Sequence, residues 1–486
     1  MNTFDAGKTL ARNSYDSEVP PNLLEFMLRS WKPKSGKGPK VLPNAAAFRK
    51  RRERLSKSFP NELLVIPTGH RKVRANDSYY AFRPGTDFYY LTGMLEPDCV
   101  LLLVPKAQGA GHDHLLYVEP NPGKADATFF TDRNKGELWE GPRLGVAESS
   151  TRFAITCKGL PELEAALGAA TKAQAGMRVL RGFSAATELM LPAQGSEQWR
   201  RDQELAVFLS EMRLLKDADE VKALQSAISA TKRGFEDVIA RLKTATNERE
   251  LEGVFWTRAR MEGNDVGYTS IVASGAHACT LHWKHNDGVI RKGDLLLLDA
   301  GIEGNSLYTA DITRTLPISG TFSPEQRAIY EIVLAAQRAA LAMVKPGNDF
   351  MAPNQAAMVV LATGLERLKI LTVSAAEALR DENQFYRRYS LHNVSHMLGL
   401  DVHDCAQARA QNYKYGKLVA GMVLTVEPGL YFQTDDLTVP TKYRGIGVRI
   451  EDDVLVTGKG HRVLSSGLPS EPSDVEKWIK QIWKRR

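Results

Sequence analysis

The sequence predicts an α/β (α+β) protein, in which an amino-terminal α/β domain is followed by a larger domain that opens on capped, amphipathic helices. Three observations carry this. The chain has 486 residues, 43% hydrophobic and 25% charged, which suits two to three domains with sizeable cores and excludes a disordered or fibrous chain. Short apolar runs separated by Gly, Pro and Asp turns precede a series of helical segments. After Lys216, helix-start signals with capping-box spacing recur.

Residues 1–44 are rich in Pro, Lys, Gly and Ser (PPNLL, WKPKSGKGPKVLP) and are expected to form an arm with little to bury. From Phe48, FRKRRERLSKSF sets Phe48, Leu55 and Phe59 at helical spacing. Its charges, five cations and one acid from Arg49 to Arg54, are expected on a solvated face; no aromatic and basic module follows that would favour nucleic acid. The runs LLVIP, FYYLTG, CVLLLVP and HLLYVEP read as strands, and Pro161 to Leu214 as helical. Together, residues 45–214 form the expected first domain and residues 215–486 the second. Asp217 and Glu220, then Asn247 and Glu250, have capping spacing; Ser323-Pro324 opens a third helix that ends at Lys345-Pro346-Gly347. Ser473 to Glu476 is expected to cap a last helix, with Trp478, Ile479, Ile482 and Trp483 on one side.

Sixty-four Lys and Arg against 57 Asp and Glu leave +7, a surplus too small to require a polyanionic partner. Cys99, Cys157, Cys279 and Cys405 form no C-x-x-C, which disfavours a disulfide framework and suits a reducing cytoplasm. The first residues lack an apolar signal-peptide run, and no later stretch approaches the ~18 apolar residues of a membrane span. A soluble cytoplasmic protein is expected.

The most informative segment is GDLLLLDAGIEGNSLYTADITRTLPISG, residues 293–320. Two β-rich runs flank Gly304-Asn305, and a hairpin about that point pairs residues summing to about 610. Asp299 and Asp311 would then be opposed, their side chains starting about 5 Å apart on one face. Two anions on an apolar sheet need a proton, an arginine or a metal between them; Arg314 falls on the other face by parity. Glu427 ends the apolar run GMVLTV, and GIGVRIEDDVLV alternates so that Arg449, Glu451 and Asp453 share a face. His392-Asn393-Val394-Ser395-His396 offers two imidazoles without the Glu of a zincin helix. Asp299, Asp311, Glu427 and Glu451 bring four negative charges, which two divalent ions neutralise while holding a bridging hydroxide. Oxygen donors with one imidazole suit Mn²⁺ first, with Co²⁺ or Zn²⁺ as alternatives. The cluster Cys279-x-x-His282-x-x-His285 lacks a fourth zinc ligand, so a loop presenting His282 is preferred.

The stretches LLLDAGIEGNSLYTADITRT, SHMLGLDVHD, MVLTVEPGLY and YRGIGVRIEDD resemble the pita-bread peptidases, the class of aminopeptidase P, prolidase and methionine aminopeptidase. The resemblance is close from about Tyr268 to Thr457, and NDSYYAFRPGTDFYYLTG is similar to the amino-terminal domain of aminopeptidase P. It implies a catalytic domain with a curved, mainly antiparallel sheet covered by helices. It also implies Asp299, Asp311, His396, Glu427 and Glu451 as ligands of two divalent ions, Asp311 and Glu451 bridging them. His282, His392 and His403 match the substrate-side histidines, with Asn393 standing where many members have Gly. Glu427 matches the proton shuttle, His392 and His403 would hold the substrate carbonyl or oxyanion, and Tyr431 and Arg449 would orient the site or simply pack.

The implied activity is release of the first residue from peptides with proline second. An X-Pro amide has no N–H, so a site gripping the free amino end avoids the missing donor. A Xaa-Pro dipeptidase with the same metals and a non-catalytic binding module remain the alternatives. Related enzymes are often dimers or tetramers, so a homo-oligomer is expected; nucleic acid and membrane are not.

Overall fold

The computed structural model describes residues 19–32, 38–107, 111–173, 176–193 and 195–485. Much of the expected arm, residues 1–18 and 33–37, lies outside them; within the rest, Pro21–Met27 is a short helix with no buried residue. The chain forms two compact units that meet between Leu205 and Ala206, inside the helix Ser196–Met212.

The first unit contains α1 (Ala45–Ser58), β1 (Glu62–Pro67), α2 (Thr86–Thr92), β2 (Val100–Pro105), β3 (His112–Val118), β4 (Thr156–Gly159), α3 (Leu163–Ala173), β5 (Gly176–Val179) and the first part of α4 (Ser196–Met212). Its sheet runs β4-β3-β2-β1-β5. The central pairs are antiparallel, whereas β4 and β5 join their neighbours in parallel. Leu63, Val65, Leu102, Tyr117 and Leu167 form its core.

Three expectations change here. FYYLTG is not a strand but ends α2, because Gly93 closes a helical turn with φ 72°; a run of four apolar residues carries no period that separates the two. A Cβ on Gly93 would sit 2.4 Å from the Phe48 ring, so this position combines a left-handed backbone with close packing. The supposedly helical region contains β5, whose residues 177–179 are buried, which removes the alternation that marks a half-buried strand. Finally, α1 is not merely solvated on its basic face. Arg51 and Arg52 are buried and donate to Tyr90 O and Leu91 O at 3.2 and 2.7 Å, carbonyls at the end of α2 that have no partner within that helix.

The second unit contains α5 (Ala218–Leu242), α6 (Glu248–Glu262), β6 (Ile271–Ser274), β7 (Leu295–Ala300), β8 (Ile312–Pro317), α7 (Pro324–Met343), α8 (Ala352–Arg367), β9 (Val423–Val426), β10 (Gly429–Tyr431), β11 (Gly447–Arg449), β12 (Asp452–Val456), β13 (His461–Val463) and α9 (Pro472–Lys484). Asp217 with Glu220 and Ser323 with Gln326 form full capping boxes; Asn247 accepts from Glu250 N–H. The last helix starts two residues earlier than expected, with Glu471 at the cap and Pro472 first, where the missing N–H costs nothing.

The strands are antiparallel, in the orders β8-β7-β6, β9-β12-β13 and β10-β11. Together with the covering helices they make the mainly antiparallel layers expected of the second domain. The hairpin register corrects one expectation: Asp299 pairs with Thr313, so partners sum to 612 and not 610. The reason lies in the turn, where Gly304 N–H donates to Tyr308 O and Leu307 N–H to Gly304 O, centring the loop on Ser306. A slip of two residues preserves side-chain parity, so Asp311 stays on the face of Asp299, placed diagonally across from it.

Candidate metal centre

Strands β7 and β8 are buried throughout, and their acids sit at the ends nearest the turn. Glu427 follows β9, where Pro428 interrupts the ladder, and Glu451 occupies the break between β11 and β12. His396 is carried against β9: its N–H donates to Thr425 Oγ1 at 3.1 Å, and its carbonyl accepts from Thr425 N–H at 3.0 Å. These separate segments converge. One donor atom each from Asp311, His396 and Glu451 lies within 4.8 Å of the others. His396 Nε2 is 3.2 Å from Asp311 Oδ2 and 3.4 Å from Glu427 Oε1. Arg449 Nη2 donates to Asp299 Oδ2 at 2.5 Å.

The four acids and His396 open onto a cavity of ≈ 590 Å³, also lined by Tyr268, His282, Lys284, His392, His403 and Arg449. Tyr431 reaches the site through two neighbours: its hydroxyl accepts from Arg449 Nη1 at 3.0 Å and lies 2.8 Å from His392 Nε2. His403 packs edge-on to His396, ring centroids 4.4 Å apart. Of the Cys279, His282 and His285 trio only His282 lines the cavity; the Cys279 thiol is buried and donates to Phe432 O.

Burial dominates the electrostatics. It raises the carboxyls of Asp299 and Glu451, the latter well above its ordinary value, and lifts Glu427 to about 7. Burial opposes the charge on His396, yet the Asp311 hydrogen bond and the Glu427 charge carry it up to about 9. Burial and the Arg449 charge push His392 down to about 4, and burial lowers His403. Anions therefore outnumber cations in a low-dielectric pocket, and each added negative charge disfavours the next. Four carboxylates and one imidazole aimed at a common volume fit hard or borderline divalent ions, which would replace the protons that these raised carboxyls otherwise hold.

Comparison with known proteins places the chain in a family. The family model for metallopeptidase family M24 matches residues 222–458, and that for the aminopeptidase P N-terminal domain matches residues 48–179. A Xaa-Pro aminopeptidase 1 of Streptomyces coelicolor is 48% identical over 97% of this chain and 94% of its own length.

The chain belongs to the aminopeptidase P group of metallopeptidase family M24.

Human Xaa-Pro aminopeptidase 3 is 32% identical over 88% of this chain and 83% of its own. Aminopeptidase P from Escherichia coli, solved with the inhibitor Pro-Leu, superposes with a TM-score of 0.81 at 29% identity, covering 92% of this chain and all of that one. As an M24 metallopeptidase, the chain is an enzyme that works with divalent ions.

Sequence reasoning overlooked several residues of this M24 site. The Tyr268 hydroxyl lies 2.6 Å from Asp299 Oδ1 and 2.5 Å from Asp311 Oδ1. Thr313 Oγ1 donates to Glu451 Oε2 at 2.6 Å and accepts from Arg449 Nε at 3.1 Å. Asp453, which strand alternation already places on the face of Glu451, accepts through Oδ2 from Asp311 N–H at 3.2 Å. Thr313 was accessible in principle, since it shares strand parity with Asp311; Tyr268 was not, because it lies 31 residues before Asp299 with no motif of its own.

Proposed function

We propose that this M24 aminopeptidase removes the first residue from peptides with proline second, using two divalent ions held by Asp299, Asp311, His396, Glu427 and Glu451. Asp311 and Glu451 would be shared between the ions, consistent with their nearness to each other and to His396. When bound, such ions supply an acidified water and a Lewis acid for the scissile carbonyl. Mn²⁺ is the preferred metal on the oxygen-rich donor set, with Co²⁺ or Zn²⁺ as substitutes.

The chain's own groups do the rest. Glu427, with Oε2 3.6 Å from His392, takes a proton from the attacking water and returns it to the leaving nitrogen. His392 and His403, kept neutral by burial, hold the substrate carbonyl and the charge that develops on it; His282 contacts the peptide from the facing loop. Arg449 fixes Asp299 and, through the Tyr431 hydroxyl, His392, so one guanidinium links the anionic floor to the substrate side. The catalytic unit would correspond to residues 215–486, preceded by an α/β domain over 45–214 and an arm over 1–44. A homo-oligomer in the cytoplasm, without nucleic acid or membrane as partner, is the expected setting; the four cysteines are buried and free, as a reducing compartment keeps them.

The observation that carries this reading is the convergence of Asp311, His396 and Glu451 from three distant segments, beside Asp299 and Glu427, in a cavity also lined by His282, His392 and His403. The relatives' names favour an aminopeptidase over a dipeptidase. Metal analysis of the purified protein combined with Ala-Pro, Arg-Pro-Pro and longer Xaa-Pro peptides tests it. Cleavage of Arg-Pro-Pro and longer peptides with about two ions per chain is expected. Hydrolysis confined to Ala-Pro, or undiminished after exhaustive chelation, would overturn it.

A further inference from the structure

Glu248 opens α6 and has no exposed surface. A carboxylate at that depth needs its lone pairs filled, and all four donors come from the single stretch that leads from the end of β6 toward β7. Oε1 accepts from Ser274 N–H at 2.7 Å and lies 2.9 Å from His277 Nδ1. Oε2 accepts from Trp283 Nε1–H and Gly288 N–H, both at 2.7 Å. The backbone adds Glu248 N–H to Gly288 O at 2.9 Å, and Arg249 Nη2 donates to His285 O at 2.9 Å. Gly288 suits this crowding: a Cβ there would lie 2.5 Å from His277 Nδ1 and 2.7 Å from Glu248 Oε1.

The other side of the loop is tied down as well. The Cys279 thiol donates to Phe432 O at 3.2 Å, and Gln433 Nε2 to Cys279 O at 2.9 Å. Between these anchors, Leu281, His282 and Lys284 line the active cavity. Trp283, which separates His282 from Lys284, turns the other way: it stacks on His277 at 3.8 Å between centroids and bonds to Glu248. Fixing the direction of Trp283 fixes that of its two neighbours.

We propose that Glu248 is a positioning residue that, through Trp283 and the loop 275–288, aims His282 into the substrate cavity. The inference rests on the reading of His282 as a substrate contact. Glu248 itself is enclosed by its own loop and lines no part of the cavity, so its effect is transmitted and not direct. A displaced wall weakens the grip on the peptide while the ligand set stays in place.

The test uses Glu248→Gln and Trp283→Phe in the metal-loaded enzyme, each alone and combined with His282→Ala. Both single variants are expected to lose about tenfold or more in kcat/KM on Arg-Pro-Pro, mostly through KM, with metal content per chain unchanged. Adding His282→Ala to either is expected to cost no more than about twofold beyond the larger single loss, since groups acting through one contact do not add. Should Glu248→Gln fail to fold, Trp283→Phe, which keeps the carboxylate and three of its donors, carries the test. Native kcat/KM in the folded variants, losses that multiply with that of His282→Ala, or loss of metal would each overturn the proposal. A His282→Ala enzyme with unchanged kcat/KM would overturn both the proposal and the reading of His282, which separates that failure from a multiplicative result.

Discussion

Among single residues, Asp311 and Glu451 carry the largest consequence, because each stands close to the other acids and to His396. Asp311→Ala and Glu451→Ala should each abolish hydrolysis and lower bound metal, while far-ultraviolet circular dichroism stays native. His403→Ala should instead reduce turnover by about a hundredfold with metal retained, measured by kinetics beside elemental analysis. The raised carboxyls give a sign for pH. Glu427 moves from an ordinary 4.5 to about 7 in the ion-free fold. A group whose folded value is raised stabilises the fold fully below its unfolded value, and that contribution is lost as pH rises through the folded one. The chelated protein should therefore lose stability between pH 4.5 and about 7, and metal affinity should climb over the same range as protons are displaced. Urea titrations with and without chelator at several pH values check this. All of these residue types were visible in the sequence, since an acid ending an apolar run is costly wherever the run folds. Thr313 could be placed only by strand parity and Tyr268 not at all, because a hydroxyl is tolerated in many settings and signals nothing until its partner arrives.

At the level of elements, the hairpin of β7 and β8 depends on a close approach at Gly301, where a Cβ would fall 1.8 Å from Ala310 O. Gly301→Ala should push the strands apart, costing at least about 2 kcal/mol in urea unfolding and separating Asp299 from Asp311 enough to lower metal affinity. The link from His396 to His403 is held by Asp404, whose buried carboxylate accepts from Arg213 Nε at 2.9 Å and Lys216 Nζ at 3.3 Å. Burial opposes its charge, but Arg213 and Lys216 keep its carboxyl below the ordinary range. Asp404→Asn should destabilise by about 3 kcal/mol, since it removes the buried countercharge of Arg213 and Lys216. Because the folded value is depressed, that contribution is present above the unfolded value and disappears as pH falls through the folded one. The gap between wild type and variant should thus close on acidification below about pH 4. Caps and amphipathic spacing revealed most long helices of the second unit. They failed at α2 and β5, where full burial erased the period that distinguishes helix from strand.

For the whole molecule, metal and fold should be linked. An ion bound only by the folded chain stabilises it by about 2.7 kcal/mol at a hundredfold excess over Kd, so the melting temperature should rise with added Mn²⁺ and fall with chelator. An unchanged melting curve across that series would sever the link. The sequence by itself determined the family, the mixed α/β character and the residues that gather at the cavity, because buried acids, capped helices and flanking motifs constrain chemistry locally. Strand parity even survived a wrong register, since a slip of two residues leaves every side chain on its face. Only the tertiary structure decided that the turn centres on Ser306, that Arg51 and Arg52 close the end of α2, and that Tyr268, Thr313 and Glu248 support the site. Apart from that turn, those contacts join residues tens to more than a hundred positions apart, and such proximity is set by packing and not by any pattern along the chain.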